Sequence, residues 1–230
     1  MPVACGAWPA IWTVAKDGSW PAKGEIDIVE GVNFFTQNSY SAHTKDGFVM
    51  HPHGFTSKFM LDADHQNNCG VDATDNQGCG LRDRRSDAFG EPFNSAGGGV
   101  FILDWADRAI WINFYPRDEI PDHIRNGTPD PSSPWRRRPR AYFTDTSGQE
   151  TGNYFQDHVL VINTNLCGKW PDGVWSADTS YAGQNQTCAA ITGSDSCANY
   201  ILNSGSQLGE AYWAINSIEV YNNATKANSD

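Results

Sequence analysis

The sequence predicts an all-β chain folded as an antiparallel β-sandwich, and three observations carry that expectation. Gly 22 and Pro 12 in 230 residues favour many turns over long helices. Short runs such as Val100–Trp105 and Ala109–Tyr115 alternate apolar and polar positions, the period of a half-buried strand. The stretch Gly24-Glu25-Ile26-Asp27-Ile28-Val29-Glu30-Gly31 interleaves β-branched residues with three carboxylates. The length suits one domain, and 39% hydrophobic residues suffice for a core.

In order along the chain, the first strand is Cys5 to Val14, which holds Trp8 and Trp12 and follows a Pro/Gly turn. Trp20-Pro21 and Lys23-Gly24 turn into the acidic octet. Side chains alternate faces along a strand, so Glu25 and Asp27 share one face and Ile26 and Ile28 the other. Glu30 has the opposite parity. One bulge near Ile28–Val29 would insert an extra residue and return Glu30 to the face of the other two carboxylates. Crowded like charges then raise at least one pKa, an arrangement suited to chemistry that needs both a carboxylate and a carboxylic acid. The bland alternative is an edge strand with a solvated acidic face.

Asn38 to Thr44 reads as the neighbouring strand and brings His43 opposite the carboxylates. Residues 62 to 87 read as a long polar surface loop stapled by Cys69 and Cys79. The hairpin Val100–Trp105/Ala109–Tyr115 belongs to the core. Residues 119 to 140 are Pro-rich and expected to lack regular structure. The run Trp135-Arg136-Arg137-Arg138-Pro139-Arg140 reads as an exposed loop, with polyanion binding as the rival. His158 to Asn163 reads as a buried strand, Ala198–Leu202 as a short helical turn, and Ala211 to Tyr221 as the last strand. One domain is expected over 1–221, followed by a polar disordered tail over 222–230.

The formal net charge of −11 argues against a nucleic-acid partner, since binding phosphates needs clustered Lys and Arg. No apolar run is long enough to span a bilayer, so no membrane partner is expected either. Six cysteines suggest disulfides and an oxidising compartment. Cys69–Cys79 is the expected pair; the partners of Cys5, Cys167, Cys188 and Cys197 stay open. Three sequons, at Asn126, Asn185 and Asn223, fit secretion and glycosylation. His51, His53 and His65 have no carboxylate at ligand spacing, so no metal and no organic cofactor is expected.

The octet resembles the E-x-D-x-x-E signature of laminarinase-type endo-β-glucanases of glycoside hydrolase family sixteen, and the chain resembles secreted fungal members. The resemblance extends from Met1 to Tyr221 through Ala42-His43-Thr44, the Gly-Gly-Gly hairpin, Leu166-Cys167-Gly168-Lys169-Trp170 and Ala211-Tyr212-Trp213. It implies a jelly-roll, concanavalin A-like sandwich with a cleft on its concave face. It also implies Glu25 as nucleophile, Glu30 as general acid/base and Asp27 as their helper, in a retaining mechanism on β-1,3- or mixed β-1,3/1,4-glucan. Trp12, Trp20 and Trp170 are the implied sugar-stacking walls, His43 an orienting neighbour, and Trp8 a structural residue. Lys169 stands where the family carries Asp. The rivals are a non-catalytic glucan-binding module and a transglycosylase using the same residues; a monomer is expected. Met1-Pro2-Val3-Ala4-Cys5-Gly6 resembles an internal stretch of the family, so signal peptide and first strands are expected to be missing upstream, leaving an exposed sheet edge.

Overall fold

The computed structural model describes residues 1–61, 65–130 and 132–222. The strands are β1 (Ala7–Ala15), β2 (Glu25–Glu30), β3 (Ser39–His43), β4 (Lys58–Phe59), β5 (Cys79–Arg82), β6 (Gly99–Ala106), β7 (Ala109–Pro116), β8 (Ala141–Phe143) and β9 (His158–Leu166). Short helices follow the turns: α1 (Gly90–Ser95), α2 (Asp122–Arg125), α3 (Lys169–Gly173), α4 (Cys188–Thr192) and α5 (Cys197–Asn203).

Two antiparallel sheets form, one in the order β4-β5-β3-β2-β1-β9 and one in the order β6-β7-β8. Their facing side chains make the main core. Ile26, Tyr40, Ala42 and Leu81 come from the larger sheet and Ile110, Ile112 and Phe143 from the smaller. Alternation along β2 therefore turns Glu25 and Asp27 away from the smaller sheet. Phe48, against Tyr154 and Phe155 at 5.1 and 5.5 Å between ring centres, fills the core beside them.

Cys69–Cys79 pair as expected, and the other bridges are Cys5–Cys188 and Cys167–Cys197. The latter two, with Trp175, form a second small core that clamps α4 and α5 to the start of β1 and the end of β9. Gly24 sits at φ +75°, and a Cβ there would meet the Tyr154 carbonyl and the Phe155 ring at 2.5 Å, so only glycine lets the chain turn into β2.

Several expectations are corrected. The stapled segment read as loop contains β5, whose residues are all buried between β3 and β4; its residues 62–64 lie outside the described ones. The segment from 119 to 140 holds α2 and a 3-10 turn at Pro134–Arg137. Its basic run is not simply exposed. Trp135 is buried, and Arg136 bonds Asp104 at 2.5 and 2.8 Å while lying over the Trp111 ring. β9 is the edge of its sheet, with Val159, Leu160 and Leu166 exposed rather than buried. Ala211 to Tyr221 alternates well but forms no strand, because a strand needs a hydrogen-bonded neighbour and this segment ladders with none among the described residues. Trp213 anchors it, donating to the Asn163 carbonyl at 3.1 Å. Of the expected tail, residues 223–230, with the Asn223 sequon, lie outside the described residues.

Candidate active site

β2 carries the bulge that the parity of Glu30 demands. Opposite β3, Asp27 faces Ser41 and Glu30 faces Ser39, so β2 advances three residues while β3 advances two. Opposite β1, Trp12 faces Asp27 and Ile11 faces Val29, which skips Ile28. Ile28 is the extra residue, and Ile28 and Val29 both enter the core. A bulge leaves ladder groups unpaired. Asn38, fully buried, repairs them: its Oδ1 accepts from the Glu30 N–H at 3.0 Å, and its Nδ2 donates to the Ile28 carbonyl at 3.0 Å. Glu25, Asp27 and Glu30 thus share the face turned away from the smaller sheet.

The carboxylates are crowded and partly dehydrated. Burial first, and then the Asp27 charge, raise Glu25 to about 8; Trp20 opposes this by hydrogen bonding to it. Burial raises Asp27 to about 7, with Glu25 in hydrogen-bond reach. Burial and then Asp27 raise Glu30 to about 7, opposed by Trp8, whose indole N–H donates to Glu30 Oε1 at 2.9 Å. His43 Nε2 lies 3.2 Å from Asp27 Oδ2, close enough for charge but not aligned for a hydrogen bond. Burial and the closeness of the two charges disfavour having Glu25 and Asp27 ionised together.

Residues 1–221 match the family described as the XgeA-like catalytic domain of glycoside hydrolase family sixteen. The chain belongs to glycoside hydrolase family sixteen. It is 38% identical over 228 residues to an endo-1,3(4)-beta-glucanase of Arthroderma benhamiae, spanning 96% of this chain and 45% of that protein. Its fold is similar to Laminarinase 16A of Phanerochaete chrysosporium, solved with beta-glucans in donor and acceptor sites, at a TM-score of 0.75 and 31% identity over 93% of this chain and 66% of that one. A structure of an elongating family 16 beta-1,3-glucosyltransferase is similar at a TM-score of 0.73 and 33% identity, with the same coverage. The chain therefore spans less than half the length of its glucanase relative. The family fold, a mostly antiparallel jelly roll, is the fold observed here.

Within this family 16 domain the structure gathers the sequence-predicted residues along β2. Trp20 lies at the Glu25 end and is the most exposed of them. Its turn is tied by Lys23, 2.7 Å from both Asp17 and Asp157. Trp12 stands in register with Asp27 and donates to Asn163 Oδ1 at 3.2 Å. His43 stands in register with Glu25. Trp170, on α3, joins the Glu30 end through Trp8, its ring centre 5.9 Å away and edge-on. Trp8, read as structural, touches Glu30 directly; it lies four residues from Trp12, and that even spacing on one strand carried the signal. Asn38 and Arg82 were missed, the first because its work is on backbone groups, the second because β5 was read as loop.

Two clusters among the described residues have metal-ligand proximity. In the group Cys167, Asp172 and Cys197 the sulfurs are tied in a disulfide and supply no thiolate. In the other, Glu25, Asp27 and His43 offer atoms within 4.8 Å of one another.

Proposed function

We propose that this domain hydrolyses β-1,3- or mixed β-1,3/1,4-glucan internally, with retention of anomeric configuration. The observation that supports this best is the bulge at Ile28, which puts Glu25, Asp27 and Glu30 on one face among aromatic side chains. In this reading Glu25 reacts in its ionised form and attacks the anomeric carbon, with Asp27 beside it tuning the protonation of the pair. Burial keeps Glu30 protonated near neutrality, so it passes its proton to the departing glycosidic oxygen. Glu30, now a carboxylate, takes a proton from water as the water oxygen attacks the anomeric carbon, breaking the Glu25 ester and restoring both groups. Trp12, Trp20 and Trp170 offer apolar faces to successive sugar rings, and His43 stands 3.2 Å from Asp27.

The domain acts as a secreted monomer in this reading, without metal or organic cofactor. Three disulfides suit an oxidising compartment. Asn126 and Asn185 are exposed, as glycan acceptors must be. A transglycosylase would use the same carboxyls with a sugar hydroxyl in place of water, and the likeness to an elongating glucosyltransferase keeps that reading in play. Product analysis on laminarin decides: shorter chains with retained configuration are expected. Redistributed or longer chains would replace hydrolysis by transfer, and an intact polymer that still binds would leave only a binding module.

A further inference from the structure

Arg82 is a cation in an unusual place. It is 2% exposed, yet makes no ion pair with a carboxylate among the described residues. Its guanidinium carbon lies 5.0, 5.8 and 5.9 Å from the ring centres of Phe35, Trp170 and Tyr181. One nitrogen donates to the Gln37 carbonyl at 3.2 Å, while Nε is buried without a partner. A buried cation without a counter-charge costs several kcal/mol, so a nearby negative group is the natural explanation for its retention.

The register supplies one. Glu30 on β2 is opposite Ser39 on β3, and Ser39 is opposite Arg82 on β5. Directly paired residues in antiparallel strands share a face, so Glu30, Ser39 and Arg82 form one row across three strands. The Ser39 hydroxyl in its middle is buried and also lacks a hydrogen-bond partner. We propose that Arg82 is a positioning residue for Glu30: across Ser39, its caged charge favours the carboxylate form that the second half of the reaction requires.

Of the other groups facing Glu30, Asp27 on its own strand disfavours its ionisation, while Trp8 on β1, through its hydrogen bond, and His43 on β3, through its charge, favour it in the same sense as Arg82. Tyr181 lies on the Arg82 side, where its carbonyl accepts from Lys58 at 3.2 Å. Arg82 and Glu30 each move the other's ionisation in the sense of attraction.

The experiment is a titration. In protein with 13C-labelled glutamate carboxyls, the Glu30 signal is identified by its loss in Glu30→Gln. Arg82→Met, which keeps the apolar stem, is expected to raise the Glu30 midpoint by about one pH unit, the size of effect a single nearby charge has. Arg82→Lys is expected to move it less, and Arg84→Met, two residues on and exposed, not at all. On laminarin the descending limb of kcat/KM should rise in step, with KM changed by less than about twofold. An unmoved Glu30 midpoint in folded Arg82→Met would overturn the proposal, as would an equal shift at Glu25. If Arg82→Met does not fold, the parent decides: the Arg82 Nε–H resonance should follow the Glu30 midpoint, and a resonance flat across it refutes the idea. The rate arm rests on the glucanase reading, but the titration does not. A chain inert on laminarin with the shift intact sinks only the function.

Discussion

Glu25 should be a liability to the fold at the pH where it would work, and removing it should show this. Its pKa moves from the ordinary 4.5 to about 8 in the folded chain, chiefly through burial and then the Asp27 charge. The folded chain therefore binds this proton more tightly than the unfolded chain does. Stability is full below about pH 4.5 and falls as pH rises toward 8. About 3.5 units at about 1.4 kcal/mol each set a ceiling near 5 kcal/mol. Screening by solvent at the open side of the site brings the expected cost to about 2–3 kcal/mol. Glu25→Gln keeps the shape, cannot ionise, and cannot attack as a nucleophile. It should melt with the parent near pH 4 and about 5–10 °C above it at pH 8 to 9, for a domain of this size, while losing turnover at every pH. Thermal unfolding followed by circular dichroism at five or six pH values, with laminarin hydrolysis alongside, makes the comparison. A gain equal at pH 4 and pH 8, or a loss at pH 8, would refute the account of Glu25 as a carboxylate dehydrated by its surroundings.

Activity should follow a bell in pH with both limbs near neutral, at about 7 and 8, rather than on the acidic side that three carboxyls in water would suggest; an optimum at pH 4 would contradict the burial described. Trp8→Phe keeps an aromatic ring but removes the donor to Glu30, and should lower kcat about tenfold, the worth of one hydrogen bond to a charged acceptor. Unchanged kcat would return Trp8 to a purely structural role. Asn38→Ala leaves the Glu30 N–H and the Ile28 carbonyl unpaired in the interior and should cost about 2–4 kcal/mol, read as a lower denaturant midpoint. A neutral result would mean that the bulge holds itself. Val159→Lys on the exposed edge of β9 should reduce concentration-dependent association measured by light scattering, because a charged edge blunts strand-to-strand pairing.

The acidic octet was legible because its chemistry conflicts with its own period. Three carboxyls are useful together only if Glu30 changes face, and one extra residue is the smallest device that does it. The hairpin of β6 and β7 was legible for the opposite reason, since nothing in it breaks alternation. Cys69 and Cys79 lie 10 residues apart in a polar segment, so proximity alone points to the pair, whereas Cys5 and Cys188 are separated by 183 residues and no local pattern relates them. β5 was hidden because Cys79-Gly80-Leu81-Arg82 is only four residues long and sits inside a polar segment. Its burial comes from β3 and β4, and the Arg82 charge is masked by rings drawn from positions 35, 170 and 181. Ala211 to Tyr221 shows the converse. A sound strand pattern does not make a strand when no strand among the described residues pairs with it.

The two ends of the carboxylate row are held by different forces, so they should loosen under different conditions. At the Glu25 end, Trp20 rides on a turn pinned by exposed ion pairs of Lys23 with Asp17 and Asp157, and such pairs weaken as salt screens them. At the Glu30 end, Trp170 follows Cys167, whose bridge to Cys197 is indifferent to salt but open to reductants. Under the glucan-cleaving function proposed above, ionic strength and redox potential would become two separate dials on a bound sugar chain, one for each direction in which it leaves the point of cleavage. An oligosaccharide that reaches only toward Trp20 should lose affinity in molar salt and ignore dithiothreitol, and one that reaches only toward Trp170 should do the reverse.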